Sequence, residues 1–415
     1  MIPGLAAKSL RNRKVTAGLT ALSIALSVLL LLGVERIRSQ ARASFAAAVS
    51  GTDLLVGART SPVHLLLSAV FHVGNATNNI TWASYRALAQ RPEVAWTIPL
   101  SLGDSHRGYR VVGTTDDCFR HLRYAGDRAL AFEAGEAFGD DAGAVLGTDV
   151  ARALRYRVGD AIVIAHGAGD VSFAAHDEHP FRVSGILART GTPLDRSILV
   201  SLAGLDAVHE DAAADADPLA AIIGARRASV EPKAITAFLA GLKSRSAVLS
   251  VQRTINEYPA EPLTAVLPGV ALQEVWEITG ALERSLLAIS ALVVVVGLSG
   301  MLVSLLTSLG ERRREMAVLR ALGARPSQVF GLILGEAAFL TAAGIAAGML
   351  ALYAGLVAGR PWLGARFGLY VAAGWPSAGE WRLVGMVMAA GLAIGLLPAW
   401  RSYRYSLADG MIVRN

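Results

Sequence analysis

The side chains best suited to chemistry lie in one short polar segment. His176, Asp177, Glu178 and His179 are consecutive, and His166 precedes them by ten residues. Imidazole and carboxylate groups bind zinc, but a closed site requires four ligands in a tetrahedral arrangement, which this spacing alone does not supply. The segment therefore predicts a solvated polar loop, with zinc handling as an alternative.

The chain carries no recognisable catalytic signature. The G-x-S-x-G and H-E-x-x-H motifs are absent, and no spacing of serine, histidine and aspartate implies a triad. Cys118 is the single cysteine, which excludes an intrachain disulfide and a cysteine-rich zinc site. No Gly-Lys dipeptide occurs, so the phosphate-binding loop of ATPases is absent as well. We expect a protein that is not an enzyme in itself and binds no cofactor directly.

The most informative segment is a basic stretch in the last third of the chain. Its apolar residues recur at helical i, i+3 spacing, its arginines lie on another face, and a glycine follows where a helix would end. This pattern predicts an amphipathic helix that lies against anionic lipid headgroups or docks into a groove on a cytoplasmic partner. The candidate contact residues are Glu311, Arg312, Arg313, Arg314, Glu315, Met316, Leu319, Arg320, Leu322 and Gly323.

Long apolar runs indicate that this helix lies beside a membrane. The 415 residues are 53% hydrophobic and only 17% charged, with a mean hydropathy of +0.46. Apolar runs of about 20 residues match the thickness of a hydrocarbon core at about 1.5 Å per residue. Glu336 is the only charge in the third run. We predict transmembrane helices at residues 15–34, 281–309, 328–358 and 383–400.

Basic residues predict how the chain is oriented. They cluster before the first run, between the second and third runs, and after the fourth, which places these segments on the same side of the membrane. The net charge of +6 is not arranged as a basic stripe interleaved with aromatic residues, so we expect no nucleic-acid partner. Both termini are therefore predicted to be cytoplasmic. Glu35 to Arg38 follow the first run in place of a cleavage site, so it is expected to remain as an anchor.

The region between the first two runs has a mixed polar and apolar character. Short β-like runs such as residues 109–112 and 181–187 alternate with helical patterns at 82–90, 149–154 and 234–242. The fold class is thus a membrane protein of four transmembrane α-helices with a large α+β extracytoplasmic domain between the first and second. The predicted remaining segments are 1–14 (cytoplasmic), 35–280 (extracytoplasmic), 310–327 (cytoplasmic), 359–382 (extracytoplasmic) and 401–415 (cytoplasmic).

Several of these segments carry a family resemblance. The run from Arg312 to Ala324 resembles the signature between the second and third spans of MacB/LolC/FtsX-type ABC transporter permeases, the mechanotransmission (type VII) group. The basic segment before the first span and the segment after the fourth agree with it. Further similar motifs lie in the extracytoplasmic domain, at residues 145–151, 158–160 and 183–187.

The resemblance implies a function and a set of partners. Such permeases bind a separate cytoplasmic ABC ATPase, which uses the ATP, and the resemblance implies that residues 311–323 contact it. A second copy of the same chain, membrane lipids, a periplasmic adaptor and an outer-membrane protein are the other partners implied. The expected location is the bacterial inner membrane. The expected activity is export or extraction of a lipid, lipoprotein, peptide or drug through movement of the periplasmic domain.

The sequence is compatible with two alternative functions. In the first, no solute moves, and the periplasmic domain regulates a cell-wall hydrolase or a sensor kinase. In the second, the segment containing His176 and His179 senses or delivers zinc. Glu336 is expected to have a structural role within the membrane rather than to form part of an ion path, because such a path tends to show several ionisable residues.

Overall fold

The structure is a computed structural model that describes residues 14–166, 180–215, 232–311, 318, 321, 323–367 and 374–404. Long helices occupy both ends of the chain, and short helices and strands occupy the middle. The helices are α1 (Lys14–Ala48), α2 (Pro62–Ala69), α3 (Trp82–Ala89), α4 (Asp117–His121), α5 (Thr148–Leu154), α6 (Leu202–Asp215), α7 (Val248–Asn256), α8 (Pro268–Glu311), α9 (Pro326–Phe367) and α10 (Ala378–Arg404).

Contacts divide the chain into two units. The helical unit comprises residues 1–40, 280–364 and 369–415, and the α/β unit comprises residues 41–279 with 365–368. Among the described residues, α1, α8, α9 and α10 are long and apolar enough to cross a membrane. The fold class predicted from the sequence is therefore confirmed. Helix ends do not mark membrane surfaces, and α1 continues past the predicted span to Ala48, so the exact segment boundaries stay predictions.

Glycines allow close helix packing inside the helical unit. A Cβ atom added at Gly348 of α9 would lie 2.6 Å from the carbonyl oxygen of Ala25 in α1. One added at Gly391 of α10 would collide with the Thr341 hydroxyl of α9. Small residues at such points let helix backbones approach each other in lipid. Matching contacts are made by Gly344 of α9 and Gly297 of α8, both against α1, and by Gly395 of α10 against α9.

The α/β unit is built on a mixed sheet. Its strands are β1 (Leu54–Ala58), β3 (Val94–His106), β4 (Tyr109–Thr114), β7 (Phe132–Gly135), β8 (Gly143–Leu146), β9 (Ala161–Ile162), β10 (Ala165–His166), β11 (Phe181–Leu187), β12 (Ser197–Ser201), β14 (Ala237–Leu242) and β15 (Leu263–Val266). In the described residues these strands follow the order β15-β1-β14-β3-β4-β12-β8-β11-β7, with β10 pairing with β3 and β9 with β11. The pairs β4–β12 and β8–β11 are parallel.

Two short pairs lie outside this sheet, β2 (Ile80–Thr81) with β13 (Ala234–Ile235), and β5 (Arg123–Tyr124) with β6 (Arg128–Ala129). Within the main sheet, β3 connects two halves. Its first part pairs with β14 and its second part with β4, so this 13-residue strand belongs to both. The sheet buries apolar side chains on both faces, as Leu54 and Leu55 show, since these neighbours in β1 pack into separate cores.

One sequence prediction in this region is wrong. Residues 234–242 have helical apolar spacing but form the strands β13 and β14. The reason is that β14 lies between β1 and β3 and is buried on both faces. A strand buried on both faces reads as a continuous apolar run and loses the alternation that marks a half-exposed strand.

Candidate functional site

The predicted coupling segment lies largely outside the described residues. Arg312, Arg313, Arg314, Glu315, Met316, Leu319, Arg320 and Leu322 all fall there, and Glu311 is described only as the last residue of α8. Between them, Val318 and Ala321 are helical and exposed. Gly323 has a φ of +96°, a left-handed conformation in which glycine commonly ends helices. The contact role of these residues stays a prediction.

Glu336 lies near the start of α9, on the side of the bundle where the coupling segment joins α8 to α9. Only 9% of its surface is exposed. Its neighbour Ala337 is fully buried against α10 at Gly395. The position is therefore internal to the helical unit.

The other end of the helical unit contains a buried ion cluster formed by Arg36, Glu380 and Tyr353. Arg36 Nη1 lies 3.2 Å from Glu380 Oε2, and the Tyr353 hydroxyl donates to the same oxygen over 3.2 Å. Exposure is 3% for Arg36 and 1% for Glu380. The cluster thus joins α1, α9 and α10 at one point.

Local sequence explains why Glu380 is held there. Ser377-Ala378-Gly379-Glu380 forms a capping box at the start of α10. The Ser377 backbone N–H donates to Glu380 Oε2 over 2.6 Å, and the Glu380 N–H donates to Ser377 Oγ over 3.2 Å. The carboxylate is therefore fixed by its own helix before it meets Arg36.

Arg36 also binds the loop that precedes α10. Its guanidinium donates to the carbonyl oxygens of Gly374, over 3.1 Å, and Trp375, over 3.4 Å. The Trp375 side chain itself is 93% exposed. Because a buried charge is costly unless it is paired and hydrogen-bonded, these carbonyl oxygens offset part of the cost of burying the Arg36 guanidinium.

A second ionic contact joins α1 to α8. Arg38 Nε and Nη2 each donate to the Glu35 carboxylate over 3.0 Å, and Arg38 Nη1 lies 3.9 Å from Glu283. Deeper in the unit, Ser27 Oγ donates to the carbonyl oxygen of Val293 over 3.1 Å. Helix α1 is consequently held by polar contacts to α8 as well as to α10.

Comparison with known proteins now gives the family. The family model described as MacB-like periplasmic core domain matches residues 17–256, more than half of the chain, and that described as FtsX-like permease C-terminal matches residues 287–407. The chain belongs to the MacB/FtsX-type ABC transporter permeases. The family predicted from the sequence motifs is confirmed.

Two solved periplasmic or extracellular regions are similar to part of this chain. The periplasmic region of MacB from Actinobacillus actinomycetemcomitans is 10% identical with a TM-score of 0.33, and the match covers 55% of this chain and 94% of that one. The extracellular domain of the noncanonic ABC-type transporter YknZ from Gram-positive bacteria is 11% identical with a TM-score of 0.30, covering 52% and 99%. Comparison with curated protein sequences finds no match.

Membership assigns the two units their general roles. The α/β unit between the first and second spans is the periplasmic core domain of a MacB/FtsX-type permease, and the long helices make it a multi-pass inner-membrane protein. Permeases of this family are generally non-catalytic and work with a cytoplasmic ATPase. The His176–His179 segment lies outside the described residues, so the structure does not test whether it binds zinc. The described residues contain no cluster of three metal-ligating side chains.

The ion cluster was missed by sequence reasoning. Arg36 lies just past the predicted first span and Glu380 just before the predicted fourth, where charged residues commonly flank a transmembrane helix. A usable signal was present, because the S-x-x-E pattern at Ser377–Glu380 directly before an apolar run marks a capping box. Its partner, however, is 344 residues away in the chain.

Proposed function

We propose that this permease couples ATP binding and hydrolysis on a separate ATPase subunit to movement of its periplasmic domain. The movement serves export or extraction of a lipid, lipoprotein, peptide or drug. The single observation that carries the proposal is the continuity of α1 and α8. Both helices are unbroken and contribute residues to each unit.

The lengths of these two helices support mechanical coupling. Helix α1 has 35 residues and α8 has 44, which correspond to about 52 Å and about 66 Å at about 1.5 Å per residue. A hydrocarbon core is only about 30 Å thick. The contact division falls between Gln40 and Ala41 in α1 and between Thr279 and Gly280 in α8, inside continuous helix in both cases.

In the α/β unit, the end of α1 and the start of α8 pack into the same core. Phe45 of α1 stacks on Phe71, with ring centroids 4.3 Å apart, and meets Trp276 of α8 edge-on at 5.4 Å. The Arg42 guanidinium lies 5.2 Å from the Trp276 ring centroid. A displacement of either helix is therefore transmitted to core side chains of the periplasmic domain.

The predicted coupling segment connects the last residue of α8 to the loop before α9. A force applied there by an ATPase acts on α8 directly and on α9 at its start. Helix α9 transmits this force to α1 through the close contact at Gly348. At the end of the helical unit opposite the coupling segment, the Arg36–Glu380 ion pair holds α1 to α10. Such packed interfaces transmit displacement because they have little freedom to deform.

Partners and orientation belong to the same proposal. Both termini and the coupling segment face the cytoplasm, following the arginine clusters. A second copy of this chain completes the permease, and a periplasmic adaptor and an outer-membrane protein take up the exported cargo. Large apolar side chains on the lipid-facing surface, such as Leu22 and Leu292, are 53% and 62% exposed, which suits contact with lipid or a second copy.

The test of coupling is the ATPase rate of the partner with and without the permease in nanodiscs. The wild type should change the rate, and Leu319→Asp should abolish the change by placing a charge on the predicted docking face. Ala321→Asp is the matched control, because a residue two positions on lies about 200° around the helix. An equal response from wild type and Leu319→Asp, or no complex at all, would refute the coupling role.

Cysteine labelling tests the orientation. Burial raises the pKa of Cys118 to about 12, so the native thiol stays unreactive near neutral pH. An impermeant maleimide should label Trp375→Cys in intact spheroplasts, but should label Ala321→Cys only after the membrane is opened. The reverse pattern would invert the proposed topology.

A further inference from the structure

A polar cavity lies in the α/β unit, between the loop after α2 and the hairpin of β3 and β4. Its volume is about 210 Å³. His72, Asn75 and Asn79 line it from the loop, and Arg110 lines it from β4. Neither the coupling proposal nor the sequence motifs assign any role to this cavity.

A β-bulge contributes to the lining of the cavity. The pairing of β3 with β4 shifts register between Leu102 and Ser105. Gly103, within the shift, has a φ of +153°, and a Cβ atom added there would meet nothing within 4 Å. Bulges of this kind commonly lie next to binding sites because they interrupt the ladder and redirect side chains.

Arg110 supplies the positive charge of the cavity. Its Nη2 donates to the carbonyl oxygen of Gly74 and to Asn75 Oδ1, both over 3.1 Å, which fixes the guanidinium in place. Its Nε and Nη1 form no hydrogen bond with the described residues. The described residues that line the cavity include no carboxylate. A fixed guanidinium without a resident counter-charge is a common binding element for carboxylate and phosphate.

His72 supplies an acceptor beside this charge. Ser197 Oγ donates to the carbonyl oxygen of Pro193 over 2.9 Å and lies 3.1 Å from His72 Nδ1. The one hydrogen of the Ser197 hydroxyl is donated to Pro193. The hydrogen between Ser197 Oγ and His72 Nδ1 must therefore be carried by Nδ1. Burial, together with the charge of Arg110, lowers the pKa of His72 to about 4, so the ring is neutral. Its Nε2 is then a lone-pair acceptor with no partner among the described residues.

We propose that this cavity is a subsite for a small oxyanion, a carboxylate or a phosphate monoester, with a hydrogen-bond donor next to the charged group. Arg110 binds the oxyanion and His72 Nε2 accepts from the donor. The volume is below the range of about 300–1,000 Å³ typical of drug-sized ligands, so the cavity takes one polar group of a larger molecule.

The site does not depend on the proposed coupling to an ATPase. Binding is measured on the permease alone, so loss of coupling and loss of binding are separate results. A positive result would identify the chemical class of group that the periplasmic domain recognises on a cargo or on a lipid.

The test is isothermal titration of the full chain in phosphatidylcholine nanodiscs with inorganic phosphate, methyl phosphate and acetate, at constant ionic strength set by chloride. At least one probe should bind saturably at one site per chain. Arg110→Gln should weaken that binding about tenfold or more, because a charge-assisted hydrogen bond is lost. Arg107→Gln, in the same hairpin but outside the cavity lining, is the matched control and should bind like the wild type.

A second variant guards against a purely structural effect, because Arg110→Gln also removes the contacts that fix the loop. Ala76→Tyr keeps the guanidinium and fills the cavity from its wall, so it should abolish binding too. Adding phosphatidate to the nanodiscs distinguishes a lipid phosphate from a soluble one, since only a lipid source competes with the soluble probe. Absence of saturable binding by every probe, or equal binding in the wild type and both cavity variants, would overturn the proposal.

Discussion

Among the described residues of the helical unit, close glycine contacts and a buried ion cluster join the helices in addition to apolar packing, whereas in the α/β unit a sheet buries large apolar side chains on both faces. The contrast has a physical basis. Water drives apolar side chains together in the periplasm, but lipid tails are as apolar as leucine and give helices no such drive. The helical unit therefore concentrates its specificity in a few close contacts, and the α/β unit spreads its stability over a core. Four comparisons test this contrast.

The largest effect is expected at the ion cluster. Glu380→Ala leaves the Arg36 guanidinium buried without its carboxylate, which should cost about 3–5 kcal/mol in the free energy of unfolding. Unfolding by SDS in mixed micelles measures it. Arg382→Ala, an exposed arginine on the same helix, is the control and should change stability by no more than about 0.5 kcal/mol.

A double replacement sharpens the same point. Arg36→Met combined with Glu380→Leu removes both charges together, so most of the lost stability should return. If the double variant were as unstable as Glu380→Ala alone, the cost would come from lost packing and not from an uncompensated charge.

Truncating one buried leucine in each unit compares how strongly apolar burial stabilises the two units. Leu55→Ala in β1 removes a fully buried side chain and should cost about 2–5 kcal/mol, since transfer from water and the cavity both contribute. Leu298→Ala in α8, 2% exposed, should cost less because lipid provides no transfer term. Hydrogen exchange of amides in each unit measures both. Equal costs would contradict the contrast.

Glycine replacement tests the close helix contacts. Gly348→Ala places a methyl group 2.6 Å from a backbone oxygen of α1 that cannot move aside, so we expect a loss of about 1–3 kcal/mol. Gly355→Ala, on the same helix, meets nothing within 4 Å and should be neutral or slightly stabilising. Thermal unfolding in detergent compares them, and a similar loss in both variants would exclude the packing explanation.

The smallest effect is a pH dependence confined to the α/β unit. The folded pKa of His72 is lowered to about 4, below its ordinary value of 6.5, so its contribution to stability is fully present above pH 6.5 and is lost as the pH falls towards 4. Allowing for partial exposure, the loss near pH 5 should be about 1 kcal/mol. The difference in Tm between wild type and His72→Asn, followed from pH 8 to 5, isolates this residue. A difference independent of pH would refute the assignment.

The sequence predicted the features that depend on residues close together in the chain. Length and hydropathy predicted the spans, because the bilayer thickness alone sets them. The short β-like run at residues 181–187 predicted a strand, and the burial of Phe181–Leu187 alternates between the two faces. The helical prediction failed at residues 234–242, where neighbouring strands cover both faces of β14.

The ion cluster and the polar cavity depend on partners that are remote in the chain. Arg36 and Glu380 look like ordinary flanking charges until folding brings them together, and Arg110 reads as one strand arginine among many. The acceptor role of His72 requires Ser197, whose position follows only from the sheet. No local pattern encodes such pairs, so only the three-dimensional arrangement shows them.

The most direct test of the central claim measures the movement itself. Spin labels at Leu249→Cys in the α/β unit and Trp375→Cys in the helical unit are both on exposed positions, and Cys118 is buried. With the ATPase partner bound, the distance distribution should change between the ADP and ATP states in the wild type and in Ala321→Asp, and should stay fixed in Leu319→Asp. A distribution that ignores ATP, or a change that survives in Leu319→Asp, would contradict coupling through residues 311–323.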